Sequence, residues 1–155
     1  MGPFPSDVIN AAIASNKKWH VPASVTLAQW ALESTFGRST PAGSNNPFGI
    51  KAVQGQPFVL AKTSEVVNGK SVIVEAKFRK FPSMAVAFDM HGQLLATASY
   101  YARARMFSAD PNGFADALTG VYASDPHYGT KLKAIMKQYN LYQYDSLTWN
   151  TAPLG

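Results

Sequence analysis

The 155-residue chain contains only three glutamates, Glu33, Glu65 and Glu75, so candidates for carboxyl acid/base chemistry are few. Glu33 stands near the end of an apolar stretch, one residue after Leu32 and three before Phe36, directly ahead of a long polar segment. Such a position partly desolvates a carboxyl group, which favours the protonated form and raises the pKa as a general acid near neutral pH requires. Glu65 and Glu75 lie on either side of Asn68-Gly69, within a stretch from Leu60 to Phe81 whose period is two. An Asn-Gly pair at the centre of such a run predicts a β-hairpin with a two-residue turn. That turn sets Val67 opposite Lys70, Glu65 opposite Val72, Thr63 opposite Val74 and Lys62 opposite Glu75, and opposed residues share a face. Glu65 then sits with Val67, Val72, Val74, Ala76 and Phe78. Glu75 sits with Ser71, Ile73, Lys77 and Arg79, has Lys62 across the ladder, and reads as a surface ion-pair partner worth at most about 1 kcal/mol. A carboxylate on the more apolar face is the odder residue, which makes Glu65 the second catalytic candidate.

The remaining acids are six aspartates, of which Asp110 and Asp125 each precede a proline, the arrangement of an N-cap followed by Pro in the first helical turn. Two carboxylates, a long polar loop and many aromatics (nine Phe, seven Tyr, three Trp) suit glycoside hydrolysis. There, one carboxyl protonates the leaving oxygen while a second group stabilises or attacks the oxocarbenium-like centre. Aromatic faces stack on sugar rings, although a domain this small needs most of its aromatics in the core.

These groups must be positioned by the surrounding elements. The pattern predicts a first helix from Ser6 to about Asn16, a second from Ala23 to Phe36 with Val25, Ala28, Leu32 and Phe36 in one stripe and Trp30 off it, and a stop at Gly37. From Gly37 to Pro57, about 20 residues rich in Gly, Pro, Ser and Asn have no period, the length at which a loop is often functional. After the hairpin, a helix capped by Ser83 is expected to run to about Met106, carrying Met84, Phe88, His91, Leu95 and Ala102 on one side. Shorter helices are expected from Pro111 and Pro126, and the tail after Tyr144 has no period and reads as loosely held.

At 16.8 kDa, with 46% hydrophobic and 15% charged residues, the whole of 1–155 reads as one catalytic domain. A net charge of +5 suits an acidic or polyanionic partner. The absence of cysteine excludes thiol catalysis, thiolate metal sites and disulfides. No apolar run approaches the roughly 20 residues that span a bilayer, so no membrane insertion is expected, and the first ten residues show no Sec signal. His20, His91 and His127 have no metal-ligand spacing, so no metal and no cofactor is expected; His91 reads as a packed or surface histidine. The cluster Arg103, Arg105, Lys131, Lys133 and Lys137 reads as a solvated face.

Four segments in order carry a resemblance: Ala28-Gln29-Trp30-Ala31-Leu32-Glu33-Ser34; Asn46-Pro47-Phe48-Gly49-Ile50-Lys51; Thr63-Ser64-Glu65 leading to Asn68-Gly69 and Lys77-Phe78-Arg79; and Tyr122-Ala123-Ser124-Asp125-Pro126-His127-Tyr128. Across roughly residues 20–140 the chain resembles the bacterial glucosaminidase domains of glycoside hydrolase family 73, which cleave peptidoglycan. The resemblance implies a lysozyme-like α+β fold, mainly α, with a helical lobe, a small hairpin lobe at about 60–81 and a groove between them. It places the general acid on Glu33 and the second carboxylate on Glu65. Tyr122 matches a tyrosine that the family sets beside the acid, Asn46 and Phe48 match the loop shaping the groove floor, and Tyr128 belongs to the same substrate-binding set. Pro47 departs from the larger apolar residue of many relatives. The bond implied is the β-1,4 linkage between N-acetylglucosamine and N-acetylmuramic acid, cut on the glucosamine side. Two second steps are open: Glu65 activates water, or it supports attack by the substrate's own 2-acetamido oxygen with Tyr122 orienting that group.

The rival readings are a lytic transglycosylase of lysozyme-like fold, which forms anhydro-muramic ends without needing Glu65; a binding module that lost turnover; and a basic nucleic-acid-binding helical domain. The last lacks any reader motif, so no nucleic-acid partner is expected. A bare basic catalytic domain fits a phage lysin, or an effector delivered to a rival's periplasm by a non-Sec route. The second setting calls for an immunity protein that plugs the groove. In either setting the chain acts at the cell wall, in the periplasm or outside the cell.

Overall fold

The computed structural model describes residues 2–149. Seven helices and one hairpin follow in the order α1 Ser6–Trp19, α2 Ala23–Ser34, β1 Phe58–Val67, β2 Lys70–Arg79, α3 Met84–Thr97, α4 Ala102–Arg105, α5 Pro111–Ala117, α6 Tyr128–Gln138 and α7 Tyr142–Trp149. This is the expected mainly helical α+β architecture. The helices form one lobe around α2, which touches α1, α5, α6 and α7, while the hairpin stands apart as a second lobe.

Because α2 has neighbours on every side, it is buried almost all round rather than along one stripe: Val25, Leu27 and Ala28 are fully enclosed, and Trp30, expected off the stripe, is as well buried as they are. The helix also ends earlier than expected. It stops at Ser34, and Thr35 and Phe36 are themselves left-handed, with φ of 50° and 57°. Phe36 is held there by ring contacts with Phe4, Trp30 and Tyr139.

The N-terminus of α2 begins after Pro22 with no local side-chain cap. Its cap comes from the far end of the chain: Asp145 Oδ1 accepts from the Ser24 backbone N–H at 2.9 Å, and Asp145 Oδ2 accepts from the Ser24 hydroxyl. The tail expected to be loosely held is therefore helix α7 as far as Trp149, tied to the central helix; the residues beyond it lie outside those described.

The expected long helix from Ser83 to Met106 is interrupted. Ser83 does cap α3, accepting from Val86 N–H, but α3 ends at Thr97 and Ala98 adopts an extended conformation before a 3₁₀ turn over Ser99–Tyr101. Arg105 reaches back to the freed end, donating to the carbonyls of Leu95 and Ala98 at 2.9 and 2.8 Å. A cation on terminal helix carbonyls both satisfies them and complements the helix dipole. Asp110 caps α5 as expected, by accepting from Gly113 N–H. Asp125 accepts from His127 N–H, so the residues after Pro126 form a turn and α6 starts at Tyr128.

The hairpin has the expected register throughout, including Glu65 opposite Val72 and Lys62 opposite Glu75. Asn68 and Gly69 have φ of 52° and 77°, the two positive angles of the turn that matches strand twist. The aperiodic loop is anchored along β2 rather than loose: Arg79 N–H donates to Ile50 O, Ala52 N–H to Lys77 O, and Phe81 N–H to Ser44 O. Through these bonds the loop lies between the two lobes and forms part of the floor of the cleft that separates them.

Candidate active site

Glu33, in the last turn of α2, opens into a cleft of about 470 Å³ whose other wall is the hairpin face bearing Glu65. Gly49 supplies the floor. It is left-handed (φ +66°), and a Cβ there would lie 3.1 Å from Glu33 Oε1, so a side chain would press on the acid and strain the backbone.

Burial raises the Glu33 carboxyl above its ordinary value of 4.5; a hydrogen bond from Tyr128 and the charge of Lys51 oppose that rise, and the charge of Glu65 adds to it. The Tyr128 hydroxyl donates to Glu33 Oε2 at 2.8 Å. Behind it, Gln29 Nε2 donates to the Tyr128 oxygen at 2.9 Å, and Gln29 Oε1 lies 2.7 Å from His91 Nε2. Since the Gln29 amide nitrogen faces Tyr128, its oxygen accepts from His91, which fixes that imidazole with the proton on Nε2. His91 is fully buried, stacks on Phe48 at 4.1 Å, and is pushed down to about 3 by desolvation, so it is neutral.

Glu65 projects from β1 on the valine-bearing face and is held by two partners. Lys51 Nζ lies 3.3 Å from Oε2, and the Ser124 hydroxyl donates to Oε1 at 3.1 Å. The same Ser124 oxygen accepts from Val66 N–H, so the segment before α6 pins the hairpin across the cleft. Glu75 is exposed on the opposite face; the ion pairs among the described residues are Lys18–Asp89, Lys51–Glu65, Lys131–Asp125 and Lys133–Asp116, so the expected bond between Glu75 and Lys62 is not closed.

Both tyrosines lie beside the acid, and the hydrogen bond to it comes from Tyr128. Tyr122 lines the cleft, but its hydroxyl donates to Phe48 O at 2.7 Å. It stacks nearly parallel on Tyr128, with ring centroids 5.9 Å apart, and Tyr128 is the residue bonded to the acid. Burial raises both phenols well above their usual value, so both remain protonated donors.

Phe48 lies beneath the floor, whereas Asn46, although buried, lines a neighbouring depression that also contains Glu33 and Gly49. Asn46 donates to Ile50 O and Arg79 O and accepts from Phe48 and Ile50 N–H, which ties the loop to β2. The Phe48 ring is fully buried between Phe88 and His91, a correction to its place among residues that touch substrate. Sequence reasoning did not single out Gln29, Lys51 or Ser124, although each lies in a quoted segment. Gln29 gave a signal, being a polar residue four positions before Glu33 in an apolar helix.

No group of three His, Asp, Glu or Cys side chains among the described residues is arranged to hold a metal, and no helix among them is long and apolar enough to cross a membrane.

The arrangement joins a half-buried carboxyl, whose pKa burial raises, to a second glutamate on the opposing wall. The chain is 34% identical over 137 residues to exo-glucosaminidase LytG of Bacillus subtilis, covering 84% of this chain and 49% of that protein. It is 40% identical over 130 residues to a probable N-acetylmuramidase of Lactococcus lactis subsp. lactis, covering 79% and 30%. It thus spans half or less of these relatives' length. Among solved structures, a peptidoglycan hydrolase mutant from Sphingomonas sp. A1 superposes with a TM-score of 0.77 at 32% identity, covering 87% of this chain and 92% of that one. The catalytic domain of the autolysin Auto from Listeria monocytogenes gives 0.73 at 34% identity, covering 90% and 84%. Residues 9–141 match the glucosaminidase family, described as mannosyl-glycoprotein endo-β-N-acetylglucosaminidase, and the chain belongs to that family.

Proposed function

We propose that the protein hydrolyses peptidoglycan as an endo-β-N-acetylglucosaminidase, cutting the β-1,4 bond on the glucosamine side. One observation carries the reading: Glu33, desolvated and hydrogen-bonded by Tyr128, faces the same cleft as Glu65, which Lys51 and Ser124 hold on the opposite wall. In this reading Glu33 delivers its proton to the glycosidic oxygen as the bond breaks. Glu65 stabilises the positive charge growing at the anomeric carbon, whether water or the 2-acetamido oxygen completes the displacement. Lys51 and Ser124 hold Glu65 in place on the wall opposite Glu33.

The names of the relatives support a cell-wall substrate, and action on it takes place outside the cytoplasmic membrane. For an enzyme made as an injected effector, the open cleft is the surface that an immunity protein would plug. The test is mass spectrometry of muropeptides after digestion of purified sacculi. Reducing N-acetylglucosamine ends are expected; mainly anhydro-muramic ends would assign a transglycosylase, and reducing N-acetylmuramic ends a muramidase.

A further inference from the structure

Beside the catalytic cleft, and sharing Gly49, Lys51 and Tyr122 with it, lies a second depression of about 360 Å³. Three large apolar side chains line it while remaining open to solvent: Val53 at 64%, Tyr100 at 61% and Val121 at 45% exposure. Isolated exposed apolar residues are ordinary, whereas several gathered around one concavity mark a binding surface.

Two cations line this depression: Lys51, which is paired with Glu65 at 3.3 Å, and Arg79. The Arg79 guanidinium lies 4.9 Å from the Phe81 ring centroid and donates to Met90 Sδ at 3.8 Å, a weak acceptor, and no carboxylate among the described residues pairs with it. A half-buried guanidinium with five N–H donors and only a thioether to receive them has most of its capacity left for an incoming anion.

We infer that this depression seats the peptide branch of the strand whose glycan lies in the cleft, with Arg79 on a peptide carboxylate and Tyr100, Val53 and Val121 against its small apolar side chains. The inference rests on the peptidoglycan reading. A neutral sugar ring offers a guanidinium only hydroxyl and amide oxygens, whereas the branch carries free carboxylates, which bind it by stronger, charge-assisted hydrogen bonds. The branch also leaves the glycan backbone at the muramic sugar, so its seat must be continuous with the cleft, as this one is.

Two matched substrates test it: intact peptidoglycan strands, and the same strands stripped of peptide by an amidase. Wild-type kcat/KM should be about tenfold higher on intact strands, the scale of one charge-assisted hydrogen bond. Arg79→Gln and Tyr100→Ala should each lose most of that preference while cutting stripped strands at the wild-type rate. Tyr100 is exposed, so its variant guards against a folding defect in Arg79→Gln. Equal wild-type rates on the two substrates would overturn the inference. So would variants that slow both substrates alike, which would make the depression a sugar subsite. Cleavage of neither substrate would overturn the hydrolase reading and this inference with it.

Discussion

The single hydroxyl proton of Tyr128 goes to Glu33 Oε2 at 2.8 Å, because the phenol oxygen already accepts from Gln29 Nε2 at 2.9 Å. Gln29 is in turn fixed by neutral His91, so a chain of three buried polar side chains orients the acid from behind. Tyr128 thus reaches the chemistry as a positioning residue: it holds the carboxyl in place and moderates the pKa rise that burial causes.

Tyr128→Phe removes that donor and leaves burial in command, so the Glu33 carboxyl should titrate higher. Since the acid must be protonated to act, the basic limb of the pH profile of kcat/KM should move to higher pH. Its optimum rate should fall roughly tenfold or more as the carboxyl loses its orientation. A reduced rate with an unmoved basic limb would show that Tyr128 contributes by packing or sugar contact instead.

Glu33→Gln should abolish nearly all turnover, by about a hundredfold or more, because an amide cannot protonate a leaving oxygen. It should also make the protein more stable at neutral pH. The native carboxyl titrates above its ordinary value of 4.5, so between that value and the native pKa the folded state binds more protons than the unfolded state, and stability falls as pH rises. Glutamine does not titrate. The gain in melting temperature of the variant should therefore be present at pH 7 and shrink as pH falls toward 4.5; a variant less stable than wild type at pH 7 would contradict this account.

How much of this could be read in advance depended on the range of the interactions. The hairpin was legible to the residue because Asn68-Gly69 and the alternation beside it are local, and the register then separated Glu65 from Glu75. Asp110 and Ser83 were legible for the same reason, since a cap is written within four residues. Asp145 capping Ser24 and Arg105 closing the end of α3 were not, because one spans most of the chain and the other replaces a continuing helix with a bend no proline or glycine announces. Resemblance brought Tyr122 and Tyr128 to the site, but only tertiary packing reveals which hydroxyl meets the acid.

His91 supplies a prediction about stability rather than rate. Desolvation holds the native imidazole down at about 3, whereas an unfolded histidine titrates near 6.5. Between those values the unfolded state binds the extra proton, so wild-type stability should fall as pH is lowered from about 6.5. His91→Leu leaves Gln29 Oε1 without its donor and should cost about 1–3 kcal/mol at pH 7. It also removes the titration, so the gap between variant and wild type in urea unfolding should narrow at pH 5. A gap constant with pH would mean that the histidine titrates normally in the folded protein.

The last prediction compares two glutamates on one hairpin. Glu65→Gln and Glu75→Gln each remove a single negative charge from the same strand pair, but Glu65 faces the cleft, bonded to Lys51 and Ser124, whereas Glu75 is exposed on the other face opposite Lys62. If Glu65 stabilises the developing positive charge, its amide should lower kcat by at least about a hundredfold. Loss of its ion pair on the cleft wall should cost about 1 kcal/mol or less of stability. Glu75→Gln should leave both turnover and stability nearly unchanged, since its cross-strand pair with Lys62 is not closed. The Glu65 variant carries a second signature. The Glu65 charge helps to keep Glu33 protonated, so removing it should move the basic limb of the residual activity to lower pH, opposite to the Tyr128→Phe shift. Kinetics of the two hairpin variants across the pH range, run on one peptidoglycan preparation, read both effects. Equal losses in the two variants would reduce Glu65 to a contributor of general charge and leave Glu33 to act without a partner on the hairpin.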